Sequence, residues 1–460
     1  MRKAAVLVVL LLPGFMALAQ TAASPTAALP GGKIGLPEAI RFALEHNFAI
    51  RQAREKIRAQ DGVVTTVAAV GLPTVSATGL YQQSDVLTLQ FPSGAGGGLP
   101  VYVSTGQYWR LILDFRQTLY AGGGVQAAKR GATLTRDAAV HELQVVIEQT
   151  LLDVKTRFYD VLLAREQIEV QEQNVQLLES ELHHAAIRYE AGTVSHFDPL
   201  RAEVAVANAK VPLITARNNH RLAIEELRRV LGVAAGTGKD DALPEFVGEL
   251  EFVPVTADLR AALVAAAANR PELLRLRKLQ AAAELGEISA RAGYYPSLSL
   301  LASEDLRKGA TDRFSDSQTG WRLGSQAQWS IAGRDTAGKV LQAESLFALA
   351  KLAEEETALA VQVEVRRALS SLESATELVR AARLSISQAE EALRIAMVSY
   401  SAGTATQLDL LKAQVEATTA RTAQISALHA YNVSAARLQR AIGEREIEFA
   451  ELPLSIPLGE

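Results

Sequence analysis

The chain has no cysteine among its 460 residues, which excludes disulfides, thiolate metal sites and thiol nucleophiles together. Aromatic residues make up only 5 %, with three Trp in all. Neither charge dominates: 47 Lys and Arg face 51 Asp and Glu, so there is no electrostatic case for nucleic acid. Beyond residue 19, no apolar run approaches the ~18 residues of a membrane-spanning helix. Phosphate-binding loops, nucleophile elbows and metal-binding His motifs are missing as well. Of seven His, only His183 and His184 are adjacent, and neighbours on a helix point about 100° apart, so they form no metal site alone. These absences predict a protein that is not an enzyme and needs no cofactor and no metal.

What is present begins with an export signal over 1–19: Arg2 and Lys3, the apolar Ala4–Leu12, and Ala17-Leu-Ala19 as a small-residue cleavage site. The apolar stretch is short for a spanning helix. Gln20 follows, not a lipid-accepting Cys, and the remaining 45 basic and 51 acidic residues give a net charge near −6. An exported chain without a spanning helix is either a soluble periplasmic protein or an outer-membrane β-barrel.

The chain also repeats itself. Tyr189-Glu-Ala-Gly192-Thr193 leads to Asp198-Pro-Leu200-Arg-Ala202, and 211 residues later Tyr400-Ser-Ala-Gly403-Thr404 leads to Asp409-Leu-Leu411-Lys-Ala413. Across Tyr189–Lys210 and Tyr400–Arg421, 9 of 22 positions are identical. Asn47–Pro73 and Asn269–Pro296 form a second similar pair at nearly the same offset. Such a period far exceeds that of solenoid repeats and predicts two large copies, 33–232 and 258–443, joined by a linker over 233–257 and followed by a tail over 444–460. Each copy reads as helix, strand, loop, strand, very long helix, break and returning helix.

The first helices are expected over Pro37–Val70 and Asp258–Ala292, and the long ones over 122–191 and 333–402. Stepping by seven from Val140 gives Ile147, Val154, Val161, Ile168, Val175, Leu182 and Tyr189; from Lys351 the same step gives Ala358, Val365, Leu372, Val379, Ile386, Leu393 and Tyr400. That period specifies paired, supercoiled helices, and 65 residues of helix span about 100 Å. Gly192 and Gly403 are expected to end them in the left-handed conformation. Asp198 and Asp409 are expected to N-cap the returning helices, 198–232 and 409–443, with Pro199 in the first helical position and a kink at Pro212.

Between the helices the period drops to two. Strands are expected at about 74–83, 108–120, 297–303 and 320–331. Trp109, Leu111, Leu113 and Phe115 share one face, as do Trp321, Leu323, Trp329 and Ile331. The opposite face carries Arg110, Asp114 and Arg116 in one strand and Arg322, Gln326 and Gln328 in the other. Alternation over about ten residues is the mark of a transmembrane β-strand. Trp109, Trp321 and Trp329 would then be lipid-facing girdle residues, and the charged set would face a wet lumen. Four strands cannot close a membrane barrel; two chains would supply eight and three twelve, and the charged face favours the wider barrel.

The doubled tips, with Tyr120-Ala-Gly-Gly123 and Tyr295-Pro-Ser-Leu-Ser299 beside the strands, resemble the TolC family of outer-membrane efflux proteins over about residues 33–443. The resemblance implies a mainly α fold with a small transmembrane β part. It implies a homotrimer whose chains, four strands each, complete a 12-stranded barrel continued by a long coiled-coil α-helical periplasmic tunnel. Such a protein would sit in the outer membrane of a Gram-negative bacterium and extend into the periplasm. It would be the passive exit duct of a tripartite efflux or type I secretion system, passing small molecules such as drugs. Partners would be a periplasmic adaptor (a membrane fusion protein) and an inner-membrane pump. Tyr189, Gly192, Thr193, Asp198, Tyr400, Gly403, Thr404 and Asp409 would form the periplasmic aperture and adaptor contact. Some members narrow that aperture with acidic rings; here Lys412 follows Asp409 by one turn and Ala405 stands second after Gly403. Asp409 is expected to face the lumen, with Asp198 close by. The competing expectation is an elongated periplasmic scaffold or adaptor without a pore, its strands forming a soluble domain.

Overall fold

The structure, a computed structural model, describes residues 32–83, 107–233, 245–308, 314–315, 317–331 and 334–444. The export segment, the loop over 84–106, most of the linker and the tail after 444 lie outside the described residues.

Two helices dominate: α3, Gly124–Glu190, and α7, Arg334–Ser401, of 67 and 68 residues, each about 100 Å long at 1.5 Å per residue. Each turns back on itself, into α4 (Phe197–Leu231) and α8 (Gln407–Ile442) respectively. The seven-residue ladders form the buried seams. Val154 and Val161 are buried against Leu227 of α4, and Val365 and Leu372 occupy the same place near Leu438 of α8. The 211-residue offset thus survives into the core.

The expected first helices are each two. Residues Leu36–His46 form α1 and Phe48–Ala69 form α2; Leu259–Asn269 form α5 and Pro271–Arg291 form α6. The breaks have local causes. Asn47 leaves helical geometry at ψ 130° and its Oδ1 accepts from the backbone N–H of Ala49 and Ile50 at 2.8 and 3.2 Å, a side-chain cap that restarts the helix. Arg270 precedes Pro271, and the ring excludes the α conformation for the residue before it; its ψ is 118°. Each break receives the end of a returning helix. Asn47 Nδ2 donates to the Val230 carbonyl at 2.6 Å, and Arg270 Nη1 donates to the Arg440 and Ala441 carbonyls at 3.3 and 3.4 Å. Two different side chains thus satisfy the last-turn carbonyls that a helix leaves unpaired.

Four strands form one antiparallel sheet: β2 (Thr74–Gln83), β3 (Gln107–Ala121), β5 (Ser297–Lys308) and β6 (Ser317–Gln328), in that spatial order. A small parallel pair, β1 (Lys33–Ile34) and β4 (Glu245–Phe246), lies beside the helical core. Strand β5 continues five residues past the expected 303: Glu304–Lys308 is too polar to read as a strand, yet Glu304–Arg307 pairs with both neighbours and Lys308 with β6. Strand β6 ends at Gln328, so Trp329 and Ile331 follow the strand instead of belonging to it. Among the described residues, no helix is long and apolar enough to cross a membrane.

Candidate functional site

Two regions carry the residues singled out from sequence: the sheet, at one end of the long helices, and the turns at the other.

In the sheet, register fixes which side chains share a face, because partners opposite each other point the same way. Arg110 stands opposite Leu80 and Arg307, Asp114 opposite Ser76 and Ser303, and Arg116 opposite Thr74 and Leu301; Arg322 and Gln326 face Ser303 and Ser299, and Gln328 faces Ser297. Arg110, Asp114, Arg116, Arg322, Gln326 and Gln328 therefore lie on one polar face. A β-bulge between Thr118 and Tyr120 shifts the alternation where β3 approaches α3. The other face reads Val75, Ala77 and Tyr81 on β2, Trp109, Leu111, Leu113 and Phe115 on β3, Leu300, Ala302 and Leu306 on β5, and Trp321 and Leu323 on β6, interrupted by Glu304 between Leu113 and Trp321. Among the described residues nothing covers it: Trp321 is 78 % and Leu323 63 % exposed. The soluble alternative required one buried face, and the sheet has none, since β2 and β6 are exposed along their whole length.

Aromatic side chains collect at both ends of the apolar face. Trp109 stands opposite Tyr81 and donates its indole N–H to the Phe314 carbonyl at 3.0 Å. At the helix end, Trp329 donates to the Tyr294 carbonyl at 3.0 Å, near exposed Tyr295. Trp321 lies between them, four residues inside the far end of β6.

At the opposite end, the repeated Gly-Thr performs the same task twice. Gly192 and Gly403 have φ of 70° and 74°, which side chains with a Cβ adopt only at a cost. The Thr193 and Thr404 N–H groups donate back to the Arg188 and Ser399 carbonyls, both at 2.9 Å, while Gly192 and Gly403 donate to Tyr189 and Tyr400. This closes a Schellman turn. Each Thr hydroxyl donates to the same carbonyl, at 2.8 and 3.0 Å, which is why Thr follows Gly in both copies.

Neither Asp is the N-cap that its position suggested. Thr406 caps α8, in a reciprocal box with Asp409 three residues on: Asp409 N–H donates to Thr406 Oγ1 at 3.3 Å, and Asp409 Oδ2 accepts from the Thr406 N–H at 3.1 Å and hydroxyl at 2.6 Å. These bonds from Thr406 hold the exposed Asp409 carboxyl below its usual range, with Lys412 adding to the effect. The spacing T-x-x-D was a legible capping signal. In the first copy His196 takes the N-cap position without a side-chain bond, Asp198 falls in the first turn, and Pro199 is third.

The two turns lie side by side. The Arg188 guanidinium sits 5.1 Å from the centre of the Tyr400 ring, Gln407 Nε2 donates to the Asp198 carbonyl at 3.2 Å, and Tyr189 meets His196 edge-on at 5.2 Å. Further up, Gln414 Nε2 and the Thr418 hydroxyl donate to Asn174 Oδ1 at 3.1 and 3.3 Å, and His429 Nε2 lies 2.8 Å from Asp160. Burial would raise the Asp160 carboxyl, but the bond to His429, the charge on His429 and the neighbouring Arg157 together outweigh it and hold the group below its usual range. Arg188 and Gln407 were missed in the sequence because each acts on the opposite copy. Among the described residues, no group of His, Asp and Glu could hold a metal.

An uncovered two-faced sheet continuing into 100 Å helical hairpins defines the class of outer-membrane channel with a helical extension. The family model for outer membrane efflux proteins matches residues 39–233 and 262–444, and the chain belongs to that family. It is similar to nodulation protein T of Rhizobium leguminosarum bv. trifolii, 24 % identical over 91 % of this chain and 85 % of that one. It also resembles outer membrane protein TolC of Escherichia coli, 24 % identical over 68 % and 66 %. Among solved structures, the outer-membrane channel OprN shares the fold with a TM-score of 0.75 at 18 % identity, over 89 % of both chains. Membership places the protein in the Gram-negative outer membrane, extending into the periplasm.

Proposed function

We propose that three copies of the chain form a passive exit duct through which small molecules leave the periplasm, docked at the hairpin turns to a periplasmic adaptor and through it to an inner-membrane pump. The observation that carries this reading is the pair of open sheet edges. Among the described residues, strands β2 and β6 each leave one edge unpaired, and every unsatisfied backbone group in lipid costs several kcal/mol. Inside the chain, β3 pairs antiparallel with β5. In the repeat, β6 corresponds to β3 and β2 to β5, so β6 of one subunit meets β2 of the next as β3 meets β5. Such head-to-tail pairing closes into a ring, and three chains give twelve strands. The polar face then lines the lumen and the apolar face meets lipid, with aromatic bands at both borders.

The test is membrane fractionation followed by conductance of the purified protein in planar bilayers. Leu323→Arg, on the apolar face, should cost roughly 2–4 kcal/mol per subunit on insertion and leave the chain in the soluble fraction. A native chain that is monomeric and soluble without detergent would refute the duct.

At the turns, Tyr189, Gly192, Thr193, Asp198, Tyr400, Gly403, Thr404 and Asp409 form the aperture and adaptor contact. Asp409→Asn keeps an acceptor for Thr406 but loses the charge, so assembly should survive while single-channel conductance or cation preference changes. Unaltered channel behaviour would remove Asp409 from the aperture.

A further inference from the structure

The polar face of the sheet holds a charge imbalance that a neutral duct does not require. In one row Arg110 stands opposite Arg307, and Arg307 opposite Gln318; the next row is Ile112, Asp305 and Gly320; a third is Asp114, Ser303 and Arg322. Asp305 is engaged by Arg110, whose Nη2 donates to Oδ2 at 2.6 Å and Nε to Oδ1 at 3.0 Å, the fork geometry of a strong charge-assisted pair. Among the described residues, neither Arg307 nor Arg322 forms an ion pair with a carboxylate. Together with Ser303, Asp305 and Gln318 they line an open cleft of about 460 Å³ beside the β6 edge of the single chain. Counting Arg116 and Asp114, the face carries four arginines against two aspartates.

Among the described residues, ring closure does not cancel this excess. The strand that completes the ring, β2 of the next subunit, brings Thr74, Ser76, Thr78, Leu80 and Gln82 to the polar face, none of them charged. The cluster lies toward the sheet end remote from the helices, where Gln107, Lys308 and Ser317 terminate their strands. Charges of one sign inside low-dielectric walls focus their field on the enclosed space and raise the local concentration of counter-ions.

We infer that the barrel lumen is anion-preferring, and that Arg307 and Arg322 form a transit site for small organic anions bearing carboxylate or sulfonate groups. The guanidinium fork matches such groups in a bidentate manner, and an unpaired arginine is free to exchange one anion for the next. The inference rests on the duct reading above.

The test uses the purified full-length protein in planar bilayers under a KCl gradient at low ionic strength, since screening reaches about 10 Å at 0.1 M salt. The zero-current potential should report chloride more permeant than potassium. Arg307→Gln with Arg322→Gln should bring the ratio to one or below, whereas Asp305→Asn should raise it, a change of opposite sign that a merely structural role would not produce. In detergent, pyrenetetrasulfonate binding followed by fluorescence anisotropy should weaken about tenfold or more in the double glutamine variant. A conducting wild type that prefers potassium, with dye binding unaffected by the double substitution, would overturn the inference and leave the duct standing. A protein that never conducts and remains monomeric would overturn both.

Discussion

Arg270→Ala should destabilise the protein by about 3–5 kcal/mol, the range for removing one partner from a buried ionic network. The Arg270 side chain is 3 % exposed. Its Nε and Nη2 donate to the two Glu272 oxygens at 2.9 and 3.0 Å, Nη2 also donates to Glu364 at 2.8 Å, and Nη1 serves the last carbonyls of α8. Arg440 completes the set, 2.9 Å from Glu364 and 3.4 Å from Glu272. Burial opposes the charge on Arg270, but its bond to Glu364 and the carboxylates around it more than offset that and raise its pKa, so it stays protonated at any working pH. Alanine would leave two half-buried carboxylates facing one arginine and two helix-end carbonyls without a donor. Urea unfolding followed by far-UV circular dichroism should show a lower midpoint at unchanged slope. Replacing Arg270 and Glu272 together by methionine should recover part of the loss, because apolar volume tolerates this site better than an orphaned charge does. A loss below about 1 kcal/mol in the single variant would show that the network is solvated and of little weight.

Gly232→Ala is the second large effect, and Gly192→Ala is its control. Both glycines end a helix at positive φ, 82° and 70°, where a side chain costs about 1–2 kcal/mol. Around Gly192 nothing lies within 4 Å of the added methyl group, whereas at Gly232 it would sit 2.5 Å from the His46 carbonyl oxygen and 3.0 Å from its carbon. That oxygen is backbone at the α1–α2 break and cannot swing aside. Gly192→Ala should therefore lose only the conformational cost, while Gly232→Ala adds an overpacking penalty of about 1–3 kcal/mol and undoes the docking of α4. Equal losses in the two variants, measured in the same unfolding series, would show that the contact relaxes freely.

What was legible in the sequence follows from how local each cause is. The long helices could be read because their seams repeat every seven residues, and the tips because Gly and Thr act within five residues of themselves. Strand β2 begins directly after Pro73, a boundary that the ring imposes locally. The far half of β5 was hidden for a physical reason: a strand whose one face is wet carries Asp305 and Arg307 where a soluble strand would carry valine, and Glu304 and Lys308 obscure the other face. The break at Arg270 had a visible cause in Pro271, yet continuous helical periodicity across it concealed the break. Its network could not be read at all, since Arg270 finds Glu364 and Arg440 at separations of 94 and 170 residues. The contacts between the two turns were equally hidden, because Arg188 and Gln407 each reach into the other copy.

The order β2-β3-β5-β6 has a consequence for ancestry. In the three-chain ring proposed above, a half-length polypeptide carrying one hairpin of strands and one hairpin of helices would meet its own copies through the same junction that β3 makes with β5, so six such polypeptides could enclose the same space. Fusing two of them leaves half of the junctions covalently tied and exempts the two halves from having to stay alike. The unlike solutions at Asn47 and Arg270, an amide in one half and a buried guanidinium in the other, are the kind of divergence that this exemption permits.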